Sequence, residues 1–262
     1  MKIVSLVPSW TETLLACGVE VVGRTRFCIH PASQIKGIKV VGGTKEFSTA
    51  MNSLDCDFVL LDREENTLEM ARAVEGAGLK SFVTHVRSVN DLPIELSRMA
   101  SAFGEPRLGD LALRWERTLN QRRADPPPWA RLPGLKEWLN HVPSGVQDSS
   151  KAPIVYVIWK EPWMSVSSGT FIASVFDLLG FSETRFWPQG QGLYPKFAVE
   201  DLPEDAVMLF SSEPFPFEKK KADLLRSASF SKFPLAIVDG EVFSWFGVRS
   251  LEFLENYFSK ES

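Results

Sequence analysis

The chain has 262 residues, 44% hydrophobic and 24% charged, which supplies a full core and excludes a disordered chain. A formal charge of −4 and a sequence pI of about 5.6 argue against a non-specific nucleic-acid binder, which needs a basic face. No apolar run approaches the roughly 18 residues of a membrane-spanning helix.

In chain order, residues 2–7 (KIVSLV) read as a short apolar strand, ended by Pro8, which lacks the N–H that a ladder needs. Ser9-Trp10-Thr11-Glu12 has capping-box spacing and predicts a helix start, with Gly18 placed to stop the helix. A second strand is predicted over 20–25. On pattern alone this is an ordinary strand–helix–strand opening with Trp10 packed inside it. Further strands are predicted around Val40-Val41, broken by Gly42-Gly43, and over 57–61 and 79–84, with helices over 64–77 and 90–103. Residues 105–125 carry Leu108, Leu111, Ala112, Trp115 and Leu119 on one stripe, which predicts one amphipathic helix stopped by Pro126-Pro127-Pro128.

Residues 126–153 are rich in Pro, Ser and Gly around an apolar island at 135–139, and pattern leaves open whether they form an extension or a loop. Strands follow at 154–159, 206–211 and 235–238, and helices at 170–179, 218–228 and 248–258. Asp239-Gly240 is a turn signal that makes 235–245 look like a hairpin. The alternation of strand and helix gives the fold class, α/β, with mainly parallel sheets covered on both faces.

Aromatic residues are abundant, with eight tryptophans, and Trp10, Trp159, Trp163, Trp187 and Trp245 fall at predicted strand ends or loops. The carboxyl ends of parallel strands line the crevices of α/β sheets, so these rings are candidates for an aromatic-walled ligand site. Such walls suit a large planar ligand with polar edges. Trp115 and Trp138 read as core.

The stretch VPSWTETLLACG…VVGRTRFCIHP resembles the opening of the helical-backbone periplasmic-binding-protein family, and within it the cobalamin-binding proteins of ABC importers. The resemblance implies two Rossmann-like lobes with a ligand cleft between them. The first lobe would be 1–104, the backbone helix 105–125, a Pro/Ser-rich extension 126–153 and the second lobe 154–262. It implies a corrinoid (cobalamin-like) ligand and no catalytic cofactor. By residue, it carries ligand contact onto Pro8, Ser9 and Trp10, Arg26 and Phe27, Thr44 and Phe47, Tyr194, and Trp245 with Phe246. Tyr194 and Ser244 depart from the family pattern, which has a tryptophan and an acidic residue there. It also implies docking on an ABC permease through Glu65 or Glu69 in the first lobe and Glu200 in the second, with the protein itself a monomer. A native N-terminus at Met1 would place the chain in the cytoplasm; removal of a leader would place it in the periplasm or outside the cell.

Two alternatives stand beside this. A ferric siderophore or heme receptor would use arginines such as Arg24, Arg26 and Arg249 against an anionic chelate. A cytosolic enzyme or sensor would use Cys28, His30 and His85, the one metal-like grouping; Cys28 and His30 share a face if that stretch is extended. Cys17, Cys28 and Cys56 have no zinc-ribbon or CxxC spacing. No GxSxG, HExxH or Walker motif is present, and Gly190-Gln191-Gly192 does not follow a predicted strand.

Overall fold

A computed structural model describes residues 1–46, 48–141 and 151–261. The chain divides into two compact units, Met1–Thr118 with Trp245–Asn256, and Leu119–Ser244 with Tyr257–Ser262. Phe47, one of the expected ligand residues, and most of the second half of the 126–153 extension lie outside the described residues.

The first unit runs β1 (Lys2–Ser5), α1 (Pro8–Ala16), β2 (Glu20–Arg24), α2 (Ala32–Ile35), β3 (Lys39–Val40), β4 (Phe58–Asp62), α3 (Leu68–Gly76), β5 (Ser81–Thr84), α4 (Leu92–Phe103) and α5 (Pro106–Leu119). Its sheet has the order β3-β2-β1-β4-β5, and every pairing is parallel. Parallel strands buried on both faces explain the dense apolar runs: Val4, Leu6, Val59 and Leu61 join Met70 and Val74 of α3 in one core cluster. From β1 the chain adds strands to one side, then returns to add β4 and β5 on the other. The switch point is therefore outside the carboxyl ends of β1 and β4, where such sheets bind ligands.

The second unit holds β6 (Leu135–Trp138), β7 (Ile154–Trp159), β8 (Met164–Ser165), α6 (Phe171–Leu178), β9 (Val207–Ser211), α7 (Phe217–Arg226), β10 (Leu235–Val238) and α8 (Gly240–Ser244). Its sheet order is β6-β10-β9-β7-β8; the three central strands are parallel and the two edges antiparallel. Val155, Val157, Phe210, Phe217, Phe230, Phe233 and Ile237 build its core. The last helix, α9 (Val248–Glu261), begins in the first unit and ends in the second.

Three expectations are corrected, and one open question is answered. The helix predicted over 105–125 ends at Leu119, because the Arg123 amide turns to the Leu178 carbonyl (3.1 Å) and Arg122 pairs with Asp177. The start predicted at Ser9 moves to Pro8: Val7 takes the N-cap position without a side-chain bond, and Pro8 at N1 needs no hydrogen-bond partner. The hairpin predicted over 235–245 is instead a parallel strand followed by α8. Asp239 Oδ1 accepts the Glu241 amide at 3.1 Å, capping a helix rather than closing a turn. The apolar island of the 126–153 extension is β6, pairing antiparallel with β10. In addition, residues 245–256 pack with the first unit rather than with 154–244.

Candidate functional site

At the carboxyl edge of the first sheet, a buried polar chain fixes the loops. Asp62, at the end of β4, is almost wholly buried and accepts the Glu64 amide on Oδ1 (2.9 Å) and the Val86 amide (3.1 Å) and Thr84 hydroxyl (2.7 Å) on Oδ2. Burial pushes its carboxyl above the usual range, against the pull of these donors. Asn66 ties three loops together: its side-chain amide donates to the Leu6 carbonyl (3.2 Å) and the Thr44 carbonyl (2.6 Å), and its Oδ1 accepts the Asp62 amide (2.9 Å). The Leu6-Val7 stretch that leads into Pro8 and Ser9 of α1 is thus joined to the Thr44 loop at the switch point, although Ser9 itself is buried.

On this frame Glu64 and His85 meet. His85 Nε2 lies 3.1 Å from Glu64 Oε1, the His85 side chain is 40% exposed, and Arg87 Nε stands 4.0 Å from the same carboxylate oxygen. A carboxylate on one ring nitrogen orients an imidazole and leaves the other nitrogen to a ligand, the arrangement found behind metal-binding histidines.

Along the loop after β2, Arg26 lies over the exposed Phe27 ring (4.9 Å to its centroid) and reaches Glu46 Oε2 at 3.4 Å. Phe27 is 47% exposed, so a large apolar ring faces solvent at a strand end. Arg24 Nη1 donates to the carbonyls of Thr25 (3.1 Å) and Cys28 (3.0 Å), shaping this loop from below.

Several expected site residues lie elsewhere. Trp10 is fully buried, its indole N–H donating to Thr84 Oγ1 at 2.9 Å, so it offers no ring face to a ligand. Phe246 is buried edge-on against it, with ring centroids 5.0 Å apart. Trp245, also buried, is flanked by His30 (5.0 Å between ring centroids) and by the Arg249 guanidinium (5.3 Å). Arg249 forms a two-point ion pair with Glu12, at 2.9 and 2.7 Å, and is thereby committed to the fold. The pair Trp245-Phe246, expected on the second lobe, is part of the first unit.

Cys28, His30 and His85 are not brought together. The Cys28 thiol is buried between the Thr11 (3.0 Å) and Thr25 (3.2 Å) hydroxyls, and burial raises its pKa, so it is neither a thiolate nor paired with an imidazole. Among the described residues no group of three or more His, Cys, Asp or Glu could hold a metal ion.

In the second unit, Trp159 at the end of β7 is 40% exposed and meets Phe215, in the loop after β9, edge-on with centroids 5.6 Å apart. Tyr194 is 46% exposed. Its flanking carbonyls, Leu193 and Pro195, accept the Ser167 and Ser165 amides at 3.0 Å. That puts Tyr194 beside the outer edge of the sheet, opposite the stretch after β8, rather than at the carboxyl end of β7. Trp163 and Trp187 pack on the core of this unit. Phe215 and the Glu64–His85 pair were missed by the sequence reading; the Pro-Phe-Pro-Phe run after the predicted strand 206–211 was the available signal for Phe215.

Of the docking candidates, Glu200 is exposed in a 3-10 turn (Val199–Asp201), Glu65 is half-buried, and Glu69 is exposed in the first turn of α3. The Glu69 carboxyl is held below its usual range by its own amide and the Thr67 hydroxyl. No helix among the described residues is long and apolar enough to cross a membrane.

No family model and no curated protein matches the chain. Solved structures do match over nearly its whole length. The periplasmic heme-binding protein RhuT from Roseiflexus sp. RS-1 is 18% identical with a TM-score of 0.74, over 98% of this chain and 96% of that one. The periplasmic heme-binding protein BhuT, solved with two hemes, is 20% identical with a TM-score of 0.72, over 99% and 97%. The periplasmic vitamin B12-binding protein BtuF of Vibrio cholerae is 13% identical with a TM-score of 0.68, over 98% and 95%. The chain therefore has the two-lobed α/β fold, with helical backbone, of these periplasmic binding proteins.

Proposed function

We propose that the chain is a solute-binding protein, not an enzyme, whose cargo is a metal tetrapyrrole of the corrinoid or heme type, held for delivery to an ABC-type permease. The observation that carries this reading is made on each unit by itself: a large ring is exposed at a strand end, Phe27 after β2 in the first unit and Trp159 at the end of β7 in the second, where it meets the partly buried Phe215 edge-on. Exposed rings at strand ends suit a planar macrocycle, which gains area from stacking while polar groups fix its edge. Similarity of fold to heme- and vitamin B12-binding proteins supports the ligand class. Glu65, Glu69 and Glu200 are the carboxylates offered to a basic permease surface.

One observation favours heme within this class. The imidazole of His85, oriented by Glu64, offers a nitrogen to an open axial position. A ferric porphyrin has such a position, whereas a cobalamin brings its own lower base. Competition between hemin and cyanocobalamin for the purified protein tests the reading. Saturable binding of either supports the class, their order of affinity chooses the member, and failure of both to bind refutes it.

A further inference from the structure

A cavity of about 140 Å³ opens in the second unit between the loop after β7, the loop after β9 and α7. Of its lining residues, the sequence singled out Trp163 as a candidate ligand wall. Its floor is apolar: Phe217, Leu224 and Phe230 are buried, and Trp163 stands over them, edge-on to Phe230 at 5.2 Å. Its rim is polar, with Lys160, Lys220, Asp223 and Ser227.

The rim carries two ammonium groups against one carboxylate. Lys160 Nζ lies 5.9 Å from the Trp163 ring centroid, and the carboxylate beside it, Glu161 at 3.7 Å, is 84% exposed and so a weak partner. Lys220 forms no ion pair or hydrogen bond among the described residues, even with Asp223 one helical turn away. An aromatic floor beneath a cationic rim selects an apolar ring bearing a negative group. Size narrows the choice, since an apolar cavity of about 150 Å³ accepts a benzene ring and nothing much larger.

We infer that this cavity is a binding site for a single-ring aromatic carboxylate, its ring on Trp163, Phe217 and Phe230 and its carboxylate between Lys160 and Lys220. The cavity does not include Phe27, His85 or Trp159 but shares Phe215 with the proposed tetrapyrrole contacts, so it is tested on the protein without tetrapyrrole.

The test is calorimetric titration of the full chain with benzoate, with benzyl alcohol as the uncharged control. Benzoate is expected to bind with a Kd of about 1 mM, as suits a ligand of about nine heavy atoms. Benzyl alcohol is expected to bind about tenfold more weakly, the loss of a charge-assisted contact. Lys220→Met, on an exposed helix position, should weaken benzoate about tenfold and leave benzyl alcohol unchanged. Lys160→Met should do the same. Equal affinity for the two ring ligands, no heat from benzoate, or lysine variants that bind benzoate as the parent does would each overturn the inference. None of these results bears on tetrapyrrole binding.

Discussion

Trp10 donates its indole N–H to Thr84 Oγ1 at 2.9 Å, and Thr84 donates in turn to Asp62 Oδ2 at 2.7 Å. The first helix is thereby joined to the ends of β5 and β4, and Asp62 holds the amides that set the Glu64 and His85 loops. Trp10→Phe removes the donor together with a smaller part of the buried ring volume. It should cost roughly 1–3 kcal/mol, the range for losing one buried hydrogen bond. Urea unfolding measures this. Tetrapyrrole affinity should change little, because the buried ring contacts no ligand; a large loss of affinity in a folded Trp10→Phe protein would return the residue to the binding site.

Gly247 has φ +91°, and a Cβ built on it would lie 2.1 Å from Thr13 Oγ1. That hydroxyl donates to the Ser9 carbonyl at 2.9 Å and accepts the Val248 amide at 3.1 Å, so displacing it breaks both bonds. Gly247→Ala should therefore destabilise the protein by roughly 2–4 kcal/mol, more than a Gly→Ala change at a relaxed site. Thermal or urea unfolding of the variant checks it, and a neutral result would show that the α1–α9 contact is loose.

Acid stability should depend on Glu105. Its carboxyl accepts from the Arg107 amide at 3.1 Å, from Nε at 2.7 Å and from Nη2 at 2.9 Å, and these bonds hold its pKa down to about 2. The folded pKa lies below the unfolded value of about 4.3, so the contribution is complete above that value. It fades as pH falls toward 2, when the unfolded state takes up a proton first. Glu105→Gln should thus be less stable than the parent near neutrality, with the difference closing between about pH 5 and pH 2. High salt should shrink it, because Arg107 is well exposed. Urea midpoints across that pH range supply the comparison.

How much of this was legible in the sequence varied with the length scale of the forces. The parallel strands were readable because strands buried on both faces demand unbroken apolar runs, as in Ile3-Val4 and Val59-Leu60-Leu61. The hairpin at Asp239-Gly240 was misread because the same dipeptide serves two geometries. Gly240 packs where a Cβ would lie 2.3 Å from Ser211 Oγ, a tertiary constraint that local pattern does not carry. Trp10 sat at the right strand end for a ligand wall, yet its direction was decided by a hydroxyl 74 positions away. The Glu64–His85 pair was invisible for the same reason: its members are 21 positions apart on different loops.

His85 gives the account a spectroscopic handle. With hemin bound, His85→Gln should shift the Soret band and weaken binding, and Glu64→Gln should give a smaller shift of the same sign, in line with the roughly 10–100-fold effect of losing a histidine's carboxylate support. A wild-type spectrum in both variants would remove His85 from the iron while leaving tetrapyrrole binding intact.

The central claim is that the chain binds a metal tetrapyrrole through rings exposed at strand ends. Titration of the protein with hemin, and separately with cyanocobalamin, while following tryptophan emission and visible absorbance, tests it most directly. The account predicts saturable quenching with a micromolar or tighter Kd for at least one of the two, weakened by Phe27→Ala or by Trp159→Ala. Linear, unsaturable quenching with both compounds, identical in those variants, would contradict it.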